Sequence, residues 1–124
     1  MWYRITGMRW TLIYLPPFAA QWLRMGLNDD DLRALENAVM NHPTQPVVPG
    51  TGGLRKTRFA PPSWHTGKSG ATRVCYAIFP EFQRIYFVDI YGKNEKADLS
   101  AKQKKIIRTL LQKLADEIRG NRKK

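Results

Sequence analysis

The chain has 124 residues, with 21 Lys+Arg against 10 Asp+Glu, a formal net charge of +11 and a single cysteine. That length supports one hydrophobic core and not two, and one cysteine excludes an intramolecular disulfide. An apolar fraction of 43% with four tryptophans excludes a disordered chain, and no apolar run approaches the roughly 18 residues of a membrane-spanning helix.

The N-terminal "MWYRITGMRWTLIYLPPFAA" has early arginines, an apolar stretch and small residues near position 20, as a signal peptide would. The apolar stretch is short, holds Thr11 and Tyr14, and is cut by Pro16 and Pro17. A strand over residues 9–15, "RWTLIYL", is therefore preferred. The two prolines end it and open a short helix, "FAAQWLRM", that closes at Gly26. Asn28 then caps a second helix whose first turn holds Asp29, Asp30 and Asp31, where a helix dipole favours acids. Leu32, Leu35 and Val39 share one face of it, and Pro43 stops it, giving a helical hairpin.

"HPTQPVVPGTGG" is a loop, "LRKTRF" a second strand, and "APPSWHTGKSGAT" a basic loop. "RVCYAIF" (73–79) and "RIYFVDIY" (84–91), split by a turn at Pro80-Glu81, predict a hairpin of strands three and four. Ser100 and Gln103 form a capping box. Ile106, Ile107, Leu110, Leu111, Leu114 and Ile118 then make a helical stripe ending at Gly120, followed by a frayed basic tail over 120–124. The order strand, helix, helix, three strands, helix predicts one α+β domain over 1–124, with a mostly antiparallel sheet packed on helices.

Charge is concentrated in two zones. Residues 51–73 carry five cations and no acids, and residues 101–124 carry nine cations and two acids. Such an imbalance costs self-repulsion and points to a polyanionic partner. No helix pairs a basic face with exposed aromatics, which argues against a membrane surface. No CxxC or HxxxH pair predicts a metal, and neither a P-loop nor a GxSxG elbow is present, so no cofactor is expected. Cys75, mid-strand among apolar residues, reads as a packed thiol, and His42 as a helix cap or surface residue. His65, beside Trp64 in the basic loop, is a candidate acid or base on RNA.

Alternate strand residues share a face, so Lys56 and Arg58 project together. If strands two, three and four are neighbours in that order, Lys56, Arg58, Lys68, Arg73, Tyr91 and Lys93 ring one end of the sheet. The bland reading of the same residues is a solvated basic surface.

"PGTGGLRKTRFA", "GKSGATRVCY" and "IYFVDIYGKNEKADLS", in that order, resemble the RelE/HigB superfamily of toxins from type II toxin–antitoxin modules, closer to the HigB-like branch. The resemblance runs from about Met8 to the last helix, and it leaves residues 1–7 as an N-terminal extension or a mis-assigned start. It implies a small RelE-like, microbial-ribonuclease-like fold and a cytoplasmic, ribosome-dependent mRNA endonuclease. Such an enzyme cuts the codon displayed in the 30S A site by attack of a 2′-hydroxyl on the adjacent phosphate. Matched motif by motif, Lys56, Arg58, Arg73, Tyr91 and Lys93 would be catalytic, and Arg55, Lys68, His65 and Glu95 would contact RNA. The implied partners are mRNA, ribosomal RNA and a cognate HigA-like, helix-turn-helix antitoxin. The rival expectation is a non-catalytic RNA- or DNA-binding module using the same surface.

Overall fold

A computed structural model describes residues 2–5, 9–65, 71–95 and 99–122. Five strands form one mixed sheet: β1 (Trp2–Ile5), β2 (Thr11–Tyr14), β3 (Arg55–Phe59), β4 (Thr72–Phe79) and β5 (Arg84–Gly92), in the spatial order β1-β2-β5-β4-β3. Three helices accompany it: α1 (Pro16–Arg24), α2 (Asp29–Asn41) and α3 (Ala101–Arg122). The α+β class and the element order from β2 onward agree with the sequence expectation. Three of the four strand pairings are antiparallel, and β2 runs parallel to β5.

Two features depart from expectation. Residues 2–5, set aside as part of an extension, form an edge strand that pairs with β2 from Trp2↔Tyr14 to Ile5↔Thr11. Its aromatic and β-branched composition is the physical reason. The last helix runs on to Arg122, past Gly120. Gly120 does not enter the left-handed region, so it does not end the helix.

Each sheet face carries its own core. One face buries Leu12, Val74, Tyr76, Ile85 and Phe87 against Phe18 and Trp22 of α1 and Leu35 and Val39 of α2. Tyr14 stacks on Phe87 with ring centroids 4.9 Å apart, and Phe18 lies 5.5 Å from both Tyr14 and Trp22. Such ring pairs each add about 0.5–1.5 kcal/mol beyond area burial. Tyr14 also donates its hydroxyl to the buried Glu36 carboxylate on α2. The other face buries Ile13, Leu54, Cys75, Ala77, Tyr86 and Val88 against Leu111 and Ile118 of α3.

Helix starts follow the capping logic of the sequence. The Asn28 side chain accepts from the Asp31 amide at 2.8 Å, and the Asp31 carboxylate accepts from the Asn28 amide at 3.1 Å. The Asp31 carboxylate also accepts from Ser63 Oγ at 2.6 Å and the Ser63 amide at 3.0 Å, fastening the 3₁₀ turn Pro62–Trp64 to α2. Burial pushes the Asp31 carboxyl up, but the hydrogen bonds from Ser63 and Asn28 outweigh it and hold it below its usual range. A carboxylate of this kind stabilises the fold above its unfolded pKa, and the contribution is lost as pH falls through the folded one. Asp31→Asn should therefore lower stability by about 1–3 kcal/mol at pH 7. The gap to wild type should narrow in urea titrations as pH falls below the model-compound value of 3.8. A gap that stays constant from pH 7 to 3 would refute this account.

The loop before β3 is built on Thr51 and two glycines. Thr51 is fully buried, donates to the Val48 carbonyl at 2.6 Å and accepts from the Leu54 amide at 3.1 Å. Gly52 has φ +72°, and a Cβ there would sit 3.1 Å from Arg108 Cγ on α3. Arg108 in turn donates to the Gly50 carbonyl at 3.2 Å. Gly52→Ala should cost about 1–2 kcal/mol from backbone strain alone, readable as a lowered Tm; an unchanged Tm would show that the loop relaxes freely.

Candidate nucleic-acid interface

A register row gathers the core of the expected site. Arg58 on β3 opposes Arg73 on β4, and Arg73 opposes Tyr91 on β5. Directly opposed residues on neighbouring strands point to the same face. The next row toward the sheet interior runs Lys56, Cys75, Asp89. Both rows lie on the α3 side, the side of Cys75 and Tyr91 in the core.

A bulge in β5 makes this possible. Tyr76 pairs with Phe87 but Cys75 pairs with Asp89, so Val88 is an extra residue on β5. Before the bulge, Ile85 and Phe87 face the helical hairpin while Tyr86 and Val88 face α3. After it the parity is reversed: Ile90 faces the hairpin and Tyr91 faces α3. An unbroken alternation would have sent Asp89 and Tyr91 to the opposite core.

Arg58 is exposed and Arg73 half-buried. Arg73 Nη1 donates to the Thr72 carbonyl at 3.1 Å, which fixes its guanidinium plane. No ion pair among the described residues engages Lys56, Arg58 or Arg73. The row is thus a set of cations held by backbone and packing, open to an anion.

Tyr91 is buried, at 8% exposure. Burial, the hydrogen-bonded Cys75 thiol and the Asp89 carboxylate push its hydroxyl up to about 12, against the pull of Arg73. It is therefore protonated at neutral pH and able to donate a hydrogen bond. Cys75 is a packed thiol, as its sequence context indicates, and also a direct neighbour of this hydroxyl.

A cavity of about 700 Å³ adjoins the row, between the sheet and the N-terminal half of α3. Lys56, Cys75, Val88, Asp89 and Tyr91 form its sheet wall, and Gln103, Lys104 and Ile107 its helix wall. The C-terminal half of α3 closes on the sheet through Leu111, Ala115 and Ile118, while Ile106 is 60% exposed.

Other expected residues stand apart. Lys93 follows β5 directly, exposed, with its amide donating to the Ala71 carbonyl at 3.2 Å. Glu95 is exposed and accepts from Gln21 Nε2 of α1 at 3.1 Å. Arg55 neighbours Lys56 in the strand and so projects to the other face, and its Nη1 donates to the Gln45 carbonyl at 2.5 Å. Its role there is to brace the loop before β3. His65 is exposed with a left-handed backbone, φ 52°, on a segment tied to α2 through Ser63; it does not join the row. Lys68 lies outside the described residues.

Asp89 went unnoticed in the sequence, although an aspartate inside an apolar strand is a signal, since strands disfavour it. No group of three or more His, Cys, Asp or Glu able to hold a metal ion occurs among the described residues. No described helix is long and apolar enough to cross a membrane. No protein-family model matches the chain.

Proposed function

We propose that this chain is an endoribonuclease toxin of the RelE/HigB type, cutting mRNA in the ribosomal A site, neutralised by a cognate antitoxin. The observation that carries the reading is the row Arg58–Arg73–Tyr91, flanked by Lys56: three cations and one protonated hydroxyl on a single sheet face. RNA carries its own nucleophile, the 2′-hydroxyl. The protein must then supply charge for the developing phosphorane, a donor for the leaving 5′-oxygen, and a fixed substrate geometry, while the 2′-hydroxyl proton passes to solvent water and solvent returns a proton to the donor. Arg73, with its plane fixed by the Thr72 carbonyl, suits the first task. Tyr91 suits the second, because its hydroxyl keeps its proton far above neutral pH. Lys56 and Arg58 suit the third, holding flanking phosphates. The products would be a 2′,3′-cyclic phosphate and a free 5′-hydroxyl.

The test is primer extension on a defined mRNA with purified protein, with and without translating ribosomes. Cuts at A-site codons that require ribosomes are the expected result. A folded protein that binds ribosomes or RNA but leaves the message intact would replace this reading with a non-catalytic binding module.

A further inference from the structure

The phosphate row accounts for Lys56, Arg58 and Arg73 but not for the cations across the cavity on α3. Lys104 stands on the helix wall, with Lys56 on the sheet wall. The Lys104 stem lies over Gly50, so close that a Cβ there would stand 3.3 Å from Lys104 Cδ. One turn on, Arg108 lies over Gly52 in the same way and donates to the Gly50 carbonyl at 3.2 Å. Stems held like this have less freedom to lose when a ligand arrives. That carbonyl engages one guanidinium donor of five, and no ion pair among the described residues engages Lys104 or Arg108. α3 also has no acid in its first turn, and none from Ala101 to Ala115. A helix dipole favours acids at that end, and α2 has Asp29, Asp30 and Asp31 there. Beside the row, the fold forgoes that stabilisation.

We propose that Lys104 and Arg108, seated on the glycine loop, extend the row into a phosphate path, and that the substrate leaves the scissile position along it as single-stranded RNA. The path rests on the ribonuclease reading. Arg58 and Lys56 lie two residues apart on one face of β3, about 7 Å along the strand. Read backward, β3 leads into the loop that carries Gly52 and Gly50. Lys104 and Arg108 are four residues apart on α3, about 6 Å along the helix. Both intervals are close to the step between successive phosphates of an extended strand. The four cations form a single file, which suits one strand and not the two of a duplex. The glycines then serve the substrate as well as the loop, since a side chain at 50 or 52 would push against the stem of a cation. Lys104 and Arg108 bind and orient the strand; they take no part in breaking the bond.

The test measures binding of the full chain to a uridine nonamer methylated at every 2′-oxygen. Such an oligomer cannot be cut, because its nucleophile is blocked. Binding is followed by fluorescence anisotropy at about 0.15 M salt, where charges more than about 8 Å away are largely screened. Wild-type protein should bind one oligomer per chain. Lys104→Gln removes no side-chain hydrogen bond among the described residues and keeps the backbone bond to Ser100. It should weaken binding about 4-fold, and Lys104→Gln/Arg108→Gln about 10-fold, with a log–log salt slope shallower by about 1.4, as for two lost phosphate contacts. Lys102→Gln/Lys113→Gln removes the same charge from the face of α3 opposite Leu111 and Ala115. It should change affinity by less than about 2-fold. Equal losses in the two double variants, two oligomers per chain, or no binding would each overturn the path. So would a fall in ribosome affinity with oligomer binding unchanged in Lys104→Gln/Arg108→Gln, which would assign these cations to ribosomal RNA. Ribosome-dependent cutting is measured separately. An intact message alongside the expected oligomer results would refute the ribonuclease reading and leave the path standing.

Discussion

Arg73→Ala is expected to lower ribosome-dependent cleavage by about 10²–10³-fold, the usual effect of removing one preorganised donor from a developing oxyanion. The side chain is central in its row, between Arg58 and Tyr91, and its guanidinium is fixed by the Thr72 carbonyl at 3.1 Å. Arg73→Lys should recover only part of the loss, because an ammonium keeps the charge but not the planar fork. Stability should change little, since the residue is half-buried and makes no ion pair among the described residues. Ribosome binding should fall only modestly, with a slightly shallower salt dependence, as for the loss of one phosphate contact. The informative comparison is therefore single-turnover cleavage against ribosome affinity. If both fall in parallel, Arg73 is a binding residue and the transition-state role is wrong.

Tyr91→Phe should reduce the cleavage step by about 10²–10⁴-fold, the range for loss of a general acid, with affinity nearly unchanged. Its pH behaviour is the sharper check. A hydroxyl pushed up to about 12 keeps its proton across the whole range in which ribosomes are intact. Wild-type cleavage should accordingly show no decline between pH 8 and 10 that disappears in Tyr91→Phe. An alkaline limb near the ordinary tyrosine value of 10.0, absent from the variant, would mean that the site leaves this hydroxyl unperturbed. Removing the hydroxyl also leaves Cys75 without that hydrogen bond, so Cys75→Ala is the control for a merely structural effect.

The candidate site was legible in part: strand alternation puts Lys56 and Arg58 on one face and neighbour order sets Arg73 beside Arg58, while Tyr91 shares that face only through the bulge. Local chemistry was legible too: the Asn28 cap and the Ser100–Gln103 box both form. The bulge was not legible. It is a single surplus residue in "YFVDIY", fixed by how β5 must satisfy two cores at once, and no turn residue marks it. The face that Arg55 takes was hidden for a related reason. Counting cations along "RKTR" does not separate the two faces, and only the bond to Gln45 shows that Arg55 serves the loop. Thr51 and Glu36 are buried polar residues with partners of different reach: Thr51 bonds within its own loop to Val48 and Leu54, and Glu36 accepts from Tyr14 across the fold. The edge strand over 2–5 carried a strand composition that the resemblance, beginning near Met8, did not cover.

The middle strand of the sheet is the last one among the described residues. β5 lies between β2, with which it runs parallel, and β4, while every other strand precedes it in sequence. During synthesis the amino-terminal half emerges first. Until Arg84–Gly92 has emerged, β1–β2 and β3–β4 are separate pairs with nothing to join them. Tyr91 arrives with that strand, and the helix that walls the cavity later still. A nascent copy therefore carries Arg58 and Arg73 before it has Tyr91 or the helix wall of the cavity, and a copy terminated before β5 never completes the row. The threading order alone delays completion of the row until β5 has been made.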